Sequence, residues 1–311
     1  MANFPFKTTK VPVCVGYDSF QRFRQEYPNF TFCPYLADKD EAGWELSTSR
    51  VYMNQVLPEF LYVPINIPKS ATHDMSKLLE RFDADMSIAA INITQPHKSS
   101  PLLKEKFLGN EHAKGFVDTL IRSADNRLVP YDLNAPAFVH WYTEEVGALA
   151  NTTVILNGVG GAGEALAFRI ASQNPAVILL VDPTPKAAVA ESLKDSWGGE
   201  VVYYASIESV PLFGLRNVVL INAAGKEGAA DDSGILKVLK SLCGTASTFV
   251  DIRPQNTLSI VEEARRLGWK AHTGSGMNAR NDYELLLGIA EFMQLVPPSF
   301  SAFEALVYKA S

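Results

Sequence analysis

The sequence predicts an α/β protein of two domains, and three observations lead to this fold class. The chain has 311 residues, more than one hydrophobic core usually holds. Apolar β-branched segments of strand length alternate with segments of helical periodicity, which is typical of a largely parallel sheet. A glycine-rich turn at residues 158–163 follows one of these strands and opens a helix.

The first predicted domain spans residues 1–135 and is completed by a C-terminal helix at 280–311. Its first clear strand, FLYVPINI, precedes an amphipathic helix, THDMSKLLERFDA, whose apolar residues recur at helical spacing. A second strand, SIAAINIT, leads into QPHK. Residues 1–46 are rich in aromatic and charged residues without a clear period, so no element is assigned there.

The second predicted domain spans residues 136–279. Its buried strands are TTVILNG, AVILLVD, VVYYAS, NVVLINA and TFVDI, and the series ends near residue 252. The helical segments EALAFRIASQ and TPKAAVAESLKDSW separate the first three of these strands from one another, as in a doubly wound nucleotide-binding domain. The apolar tail NDYELLLGIAEFMQLV predicts one helix that packs back onto the first domain, with a cleft between the two domains.

Composition narrows the class of protein. Hydrophobic residues make up 47% and charged residues 20% of the chain, as in soluble globular proteins. A net charge of −6 disfavours nucleic acid or an anionic membrane as the main partner. No apolar run reaches the length of about 20 residues that spans a bilayer, and the N-terminus lacks a signal-peptide pattern. Three scattered cysteines and isolated histidines predict neither disulfides nor a metal site, so a cytoplasmic protein is expected.

The glycine-rich turn has the spacing G-x-G-x-x-G in Gly158, Gly160 and Gly163, with Gly161 and Ala162 between the last two. Such glycines allow a tight turn and a close approach of the backbone, while the helix N-terminus offers N–H groups to a pyrophosphate. A glycine-rich turn needed only for packing is the alternative. The position of the G-x-G-x-x-G turn between a strand and a helix favours the first reading, a Rossmann-type domain that binds NAD or NADP.

Asp182 ends the second strand of this domain. A carboxylate there can accept hydrogen bonds from both adenosine ribose hydroxyls and would repel a 2′-phosphate, which favours NAD over NADP. Lys186 lies four residues on and could still meet a phosphate, so NADP stays open. Asp182 could instead serve as a turn or helix-capping residue, since DPTP suits a turn.

Several segments together resemble the shikimate/quinate dehydrogenase family. INITQPHK is similar to N-V-T-x-P-x-K of that family, and GVGGAG is similar to its dinucleotide loop. Looser similarities to family motifs run through ELSTSRVYMN, GFVDTLIR, YDLNAPAF, INAAG and GSGMNARNDYELL. The resemblance covers residues 45–290 and implies a substrate domain followed by a dinucleotide domain.

The resemblance also implies roles for individual residues. Lys98 corresponds to the lysine that takes part in proton transfer while a hydride passes to or from nicotinamide. Residues aligned with substrate contacts are Ser47, Ser49, Thr94, Asp118 and Asn281. Residues aligned with the cofactor side, beyond the glycine loop and Asp182, are Asn222, Ala223, Gly274 and Met277.

The sequence departs from the family at the partner of this lysine. Asn134 aligns with the family aspartate, and an amide can exchange hydrogen bonds but cannot take a proton. Asp132 lies two residues before it and would share its face in an extended strand, so it could supply the missing charge. Asp118 replaces a family asparagine. Asn134 and Asp132 complete the candidate catalytic residues with Lys98, and Asp118 is a candidate substrate contact.

Further departures suggest a rebuilt substrate pocket. Asn281 is one methylene shorter than the family glutamine, and Arg50 replaces a family proline. Arg50 and Arg253 are expected to face solvent. The gain of Asp118 and the loss of the dyad aspartate could favour a substrate that carries an amine or imine, because a buried carboxylate needs a partner.

The sequence therefore predicts an NAD(P)-dependent oxidoreductase that acts on a small hydroxy or keto carboxylate. The alternatives are a reductase of an amino or imino substrate in a specialised pathway and a non-catalytic NAD-binding regulatory homologue. Residues 1–44 exceed the usual lead-in of the family; a lid over the site and a homodimer contact are both compatible with them.

Overall fold

The computed structural model describes residues 12–38, 47–94, 97–107, 110, 116–224, 232–244, 247–253 and 259–307. The chain divides into two compact units, of which the first comprises residues 1–133 with 281–311 and the second residues 134–280. Each unit contains one six-stranded sheet, so the predicted α/β fold with two sheets is confirmed. Within the described ranges no helix is long and apolar enough to cross a bilayer.

The strands alternate with helices along most of the chain. The strands are β1 (Cys14–Val15), β2 (Thr31–Ala37), β3 (Phe60–Asn66), β4 (Ala90–Ile93), β5 (Thr119–Arg122), β6 (Leu128–Tyr131), β7 (Thr153–Asn157), β8 (Val177–Val181), β9 (Glu200–Tyr204), β10 (Val218–Asn222), β11 (Thr248–Asp251) and β12 (Lys270–Thr273). The helices are α1 (Gly16–Glu26), α2 (Thr48–Val56), α3 (Met75–Asp83), α4 (Pro101–Lys106), α5 (Asn134–Trp141), α6 (Gly161–Ala171), α7 (Ala187–Trp197), α8 (Ser233–Ser241), α9 (Ser259–Arg266), α10 (Ser275–Phe292) and α11 (Phe300–Val307).

The sheet of the first unit has the strand order β1-β3-β2-β4-β5-β6. The first four strands in this order are parallel, whereas β5 and β6 are antiparallel to their neighbours. Both faces of the sheet are covered, and β2 shows why its run TFCPYLA is apolar throughout. Phe32 and Leu36 enter one core, while Cys33 and Ala37 enter the other.

The C-terminal segment completes the first unit, as its apolar pattern indicates. Leu285, Leu286 and Ile289 of α10 and Phe303 of α11 are buried in the same core as Cys33. The tail contains two helices where the sequence predicted one, because the chain passes Pro297 and Pro298 between α10 and α11.

The N-terminal part of this unit was not assigned from the sequence. Its β1 has only two residues, and α1 is polar except for a narrow apolar side, so neither produces a strong pattern. Phe20 of α1 is nevertheless fully buried, in edge-to-face contact with Phe32 and Phe82. Long-range aromatic packing therefore stabilises a helix that local sequence signals do not reveal.

The sheet of the second unit is wholly parallel, with the order β12-β11-β10-β7-β8-β9. This is the order of a Rossmann-type sheet, whose direction of winding reverses between β7 and β10. The sequence-based series stopped near residue 252 and missed β12. That strand lies at the sheet edge and reads KAHT, in which Ala271 is the buried residue, so it lacks an apolar run.

Arg122 is a buried cation that ties several turns of the first unit together. Its side chain is 0% exposed, yet all of its N–H groups have carbonyl acceptors. Nε donates to Ile88, and the two terminal nitrogens donate to the carbonyls of Phe82, Asp83, Asp85 and Asn126. Phe82 and Asp83 end α3, so the guanidinium also meets the negative end of a helix dipole.

We expect Arg122→Lys to lower the free energy of unfolding by about 2–4 kcal/mol, because an ammonium cannot supply five planar donors and leaves buried carbonyls unpaired. Urea unfolding followed by fluorescence measures this change. The matched control is Arg127→Lys, since the Arg127 side chain is 74% exposed and should contribute less than about 1 kcal/mol. Equal losses for the two variants would contradict a structural role for Arg122.

Candidate active site

The glycine loop lies where β7 ends and α6 begins, and its three motif glycines have different surroundings. Gly158 has φ +92°, and a Cβ there would lie 2.5 Å from the Ala224 nitrogen. A Cβ at Gly163 would lie 1.9 Å from the Gly158 carbonyl oxygen. A Cβ at Gly160 would meet no described atom within 4 Å. The first glycine thus permits the turn, the third permits close packing, and the second borders open space.

The start of α6 offers backbone donors at this open space. Gly160 is the N-cap residue, and the helical hydrogen bonds begin with the Glu164 N–H donating to the Gly160 carbonyl at 2.8 Å. The N–H groups of Gly161, Ala162 and Gly163 precede that bond and have no acceptor within the helix. Such a turn suits a negatively charged pyrophosphate, so the residues present fit the dinucleotide that the sequence predicts.

Asp182 follows β8 beside this loop and is 9% exposed. Its carboxylate accepts hydrogen bonds from the Val159 N–H at 2.7 Å and from the Thr184 N–H at 2.8 Å. The turn role that the sequence left open is therefore present, and it also fixes the glycine loop. Each carboxylate oxygen can accept more than one bond, so contact with a ribose stays a prediction.

A polar network crosses the carboxyl edge of the second sheet. Asn157 donates to Asn222 at 2.9 Å, and Asn222 donates to the fully buried Asp251 at 2.7 Å. Ala223, the next residue, is fixed by its N–H bond to the Asn157 carbonyl at 2.7 Å. Asn222 and Ala223 are thus rigidly positioned at the end of β10, where the sequence predicts the nicotinamide side.

Arg253 belongs to this network, which corrects the expectation that it faces solvent. Its guanidinium donates twice to Asp251, at 2.8 and 2.6 Å, and lies 3.7 Å from an Asp232 oxygen. Hydrogen bonding of the Arg253 guanidinium to the Asp251 carboxylate raises the pKa of Arg253, and burial opposes this only in part. Sequence alone could not reveal the pairing, because Asp251 is the last residue of β11 and Arg253 lies beyond the strand, where its side-chain direction is not set by strand alternation.

Gly274 and Met277 lie at the junction of β12 and α10 in the same unit. A Cβ at Gly274 would lie 2.0 Å from the Ile252 carbonyl oxygen, so this glycine is needed for packing. Its N–H donates to the Arg253 carbonyl at 2.9 Å. Met277 is 5% exposed. Their contact with a cofactor stays a prediction.

In the first unit, Lys98 lies in a single 3₁₀ turn, His97–Ser99, just beyond β4. The Thr94 carbonyl accepts the N–H groups of His97 and Lys98, and the Thr94 N–H donates to Leu36 at 3.0 Å. His97 is 0% exposed, and its Nε2 is 2.8 Å from the Ile67 carbonyl. The turn that carries the partly buried Lys98 is therefore fastened to both β2 and β3. Gln95 and Pro96 of this motif lie outside the described residues.

Asp118 joins the ends of three strands in this unit. Its carboxylate accepts the Thr119 hydroxyl at 2.8 Å and the Leu133 N–H at 3.2 Å, while its carbonyl accepts the Ile93 N–H at 2.7 Å. Thr94, Asp118 and Asp132 therefore lie at neighbouring ends of β4, β5 and β6. The buried Asp118 carboxylate has these donors within the protein, which weakens the inference that it requires an ammonium group.

The expected extended spacing of Asp132 and Asn134 does not hold. Strand β6 ends at Tyr131, and α5 begins at Asn134, so the two side chains do not alternate along one strand. Asp132 belongs to the first unit and Asn134 to the second. Their roles stay predictions.

Ser47 and Ser49 form a hydrogen-bonded pair at the start of α2, with their hydroxyl oxygens 2.9 Å apart. Ser49 donates to an Asp282 oxygen at 2.5 Å, and Asp282 is 2% exposed. Since the single Ser49 proton points to Asp282, the Ser47 hydroxyl donates to Ser49. Sequence analysis assigned the pair and the adjacent Asn281 but missed Asp282, one of three acidic residues in α10.

Arg50 is partly buried rather than solvent-facing, which corrects the sequence-based expectation. Its guanidinium carbon lies 4.3 Å from the Tyr35 ring centroid and 4.9 Å from that of Tyr62. One terminal nitrogen donates to Asn92 at 3.2 Å. Burial lowers the pKa of Arg50, but Tyr62, Tyr35 and Asp282 raise it by more, so the group stays charged. The aromatic residues were visible in the sequence; their approach to Arg50 was not.

The fold and the glycine loop define an α/β protein of the dinucleotide-binding class. No family model matches the chain. The shikimate dehydrogenase (NADP(+)) of Methanothermobacter thermautotrophicus is 27% identical over 47% of this chain, and the match spans only half (50%) of that relative's length. The quinate/shikimate dehydrogenase (NAD(+)) of Corynebacterium efficiens is 29% identical over 72% of this chain and 81% of its own.

A solved structure supports the fold. The crystal structure of shikimate 5-dehydrogenase from Listeria monocytogenes, in complex with shikimate and NAD, has a TM-score of 0.69 and 15% identity, over 90% of this chain and 96% of that one. The resemblance seen in the sequence is confirmed by these relatives. The chain is thus similar in sequence to shikimate and quinate dehydrogenases and shares the fold of a solved shikimate dehydrogenase.

Substitution of two loop glycines by alanine should affect different properties, stability in one case and cofactor binding in the other. Gly163→Ala should cost about 1–3 kcal/mol of stability, because its Cβ would overlap the Gly158 carbonyl. Gly160→Ala should leave stability within about 0.5 kcal/mol, yet weaken NADH or NADPH binding about tenfold or more by filling the open space. Thermal unfolding and calorimetric titration measure the two effects. Unchanged binding in Gly160→Ala would contradict a pyrophosphate at this loop.

The buried His97 and the partly buried His272 predict a pH dependence of stability. Burial lowers the pKa of His97 below its ordinary value of 6.5, and burial with the Lys270 and Arg265 charges lowers that of His272. Below pH 6.5 the unfolded chain therefore binds more protons than the folded chain. The histidine contribution is complete above pH 6.5 and declines as the pH falls toward the lowered pKa values.

Urea unfolding between about pH 7.5 and 5 measures this decline. His97→Gln should make it shallower, whereas the control His140→Gln should not, since His140 is exposed and bonded to Glu144. A slope that is the same in His97→Gln and in the unmodified chain would rule out the contribution of His97.

Proposed function

We propose that this chain is an NAD(P)-dependent oxidoreductase that transfers a hydride between nicotinamide and a small hydroxy or keto carboxylate. The proposal rests on the surroundings of the three motif glycines. The loop borders open space at Gly160 and is closely packed at Gly158 and Gly163. Neither a positive φ nor close packing requires a glycine at Gly160, since its φ is −72° and a Cβ would meet no described atom within 4 Å. The named activities of the relatives point to the same reaction class.

The second unit would bind the cofactor. Backbone N–H groups at the start of α6 would hold the pyrophosphate, and Asp182 would accept the ribose hydroxyls, which favours NAD over NADP. Asn222 and Ala223 would support the nicotinamide end, with Gly274 and Met277 on the neighbouring segment. The nicotinamide, when bound, supplies or accepts the hydride.

The first unit would bind the substrate and move the proton. In the reducing direction, the Lys98 Nζ would give a proton to the carbonyl oxygen as the carbon gains the hydride; in the oxidising direction, it would take that proton back. The hydrogen bonds of the Thr94 carbonyl to this turn would keep the ammonium in position. Ser47, Ser49, Thr94, Asp118 and Asn281 are the proposed substrate contacts.

The family dyad is altered, so the charge partner of Lys98 must differ. Asn134 would orient the substrate by hydrogen bonding, and Asp132 is the proposed counter-charge. Lys98 itself is retained, which speaks against a protein that only senses the nucleotide.

A substrate panel tests the proposal and separates it from the alternatives. NADH and NADPH oxidation is followed with keto carboxylates, neutral ketones and cyclic imines, and the reverse reaction with shikimate and quinate. Turnover of a hydroxy or keto acid supports the proposal. Turnover of imines alone indicates the amino/imino alternative, and dinucleotide binding without any turnover indicates the regulatory alternative.

Lys98→Met should lower kcat by about 10²–10⁴-fold while the dissociation constant of NADH changes less than about twofold, since only proton transfer is removed. The control is Lys77→Met, an exposed lysine of α3, which should keep full activity. Undiminished kcat in Lys98→Met would refute the assigned proton transfer.

A further inference from the structure

The first unit contains two inward-facing guanidinium groups whose hydrogen bonding differs. Arg122 uses every donor on a backbone carbonyl, as expected of a structural cation. Arg50 donates to the Asn92 side chain and is hydrogen bonded to Tyr35, and its Nε is buried with no acceptor among the described residues. A partly buried arginine whose donors are not all used on backbone carbonyls has capacity to bind an anion.

The setting of Arg50 holds the guanidinium in one place. The rings of Tyr35 and Tyr62 lie within 4.3 and 4.9 Å of it, and Asn92 fixes one end. Asn92 in turn donates to the Asp118 carbonyl and to the Thr119 hydroxyl, each at 3.2 Å. Arg50 is therefore attached to the strand ends from which the Lys98 turn and Asp118 extend.

The neighbouring serine pair lacks protons for an anion in this arrangement. Ser47 donates to Ser49, and Ser49 donates to Asp282, so both hydroxyl protons are directed toward a buried carboxylate. The negative charge of Asp282 also disfavours a second carboxylate beside the pair. Arg50 lies three residues after Ser47, which puts it on the same side of the first turn of α2. Arg50 thus places a positive charge near a hydroxyl pair that cannot bind an anion by itself.

We infer that Arg50 is a specificity-determining residue that binds the carboxylate of the substrate. The inference rests on the proposed function and deepens it: substrates would be selected for a negative charge, and the amide of the same acid would be discriminated against. Asp282 then serves to orient the serine pair and to balance the charge of Arg50 when the site is empty of substrate.

Three acid–amide pairs test this inference: shikimate, quinate and cyclohexanecarboxylate, each with its primary amide. Calorimetry on the protein with NAD bound should show at least one acid binding tenfold or more tightly than its amide. Arg50→Met should lower the affinity for that acid at least tenfold and leave the amide within twofold, and Arg50→Lys should restore part of the loss. In turnover, the change should appear in KM rather than in kcat.

The matched control is Arg81→Met, which removes an exposed guanidinium that lies 5.2 Å over the Tyr17 ring. It should leave the acid–amide ratio unchanged. Lack of an acid preference in the unmodified protein would overturn the inference without any variant, and Arg50→Lys, which keeps the charge, tests the role of Arg50 if Arg50→Met does not fold.

The inference would be overturned if none of the three acids bound more tightly than its amide. It would also be overturned if Arg50→Met lowered the affinities for acid and amide equally. Arg50-dependent acid binding without oxidation of NADH by any ketone would instead leave Arg50 as the anion site and refute the hydride transfer. Turnover of neutral ketones without an acid preference would support the hydride transfer and refute Arg50 as the anion site. The two failures are therefore distinguishable.

Discussion

Parallel strand pairing is the constraint on which both candidate binding regions depend. In a parallel sheet the strands all end at one edge, so residues that follow different strands are brought together there. In the second unit this gathers Gly158, Asp182 and Ala223, each of which comes directly after a strand. In the first unit the Thr94 N–H bond to Leu36 continues the pairing of β4 with β2 and positions the turn of Lys98.

Rigidity at these edges comes from polar groups that are satisfied inside each unit. The Val159 N–H bond to Asp182 fixes the glycine loop to the neighbouring strand, and Asn222 is held between Asn157 and Asp251. Buried groups of this kind are costly unless they are paired, so their complete pairing restricts the local backbone to one arrangement. A preformed loop then loses little conformational entropy when a ligand binds.

The proposed substrate residues of the first unit have different charges from those of the family motifs that they resemble. The paired hydroxyls remain, but Ser49 donates its hydrogen bond to Asp282 and Ser47 donates to Ser49, while Arg50 brings a positive charge beside them. Asp118 is likewise a buried charge whose hydrogen bonds come from its own strand neighbour and from Leu133. These substitutions change which groups donate and which accept without changing the fold, because each new charge has a partner within the unit.

The sequence by itself determined the two α/β units, most strands, the glycine loop and the lysine turn, since these depend on local periodicity and on short motifs. It did not determine β12, α1 or the partners of Arg50, Arg122 and Arg253. Those features depend on residues far apart in the chain: Phe20 is buried by Phe82, and Arg122 is surrounded by carbonyls of other turns. An arginine looks the same in a sequence whether it meets solvent, a carbonyl or an aromatic ring; the difference is decided by what the tertiary structure brings within hydrogen-bonding distance.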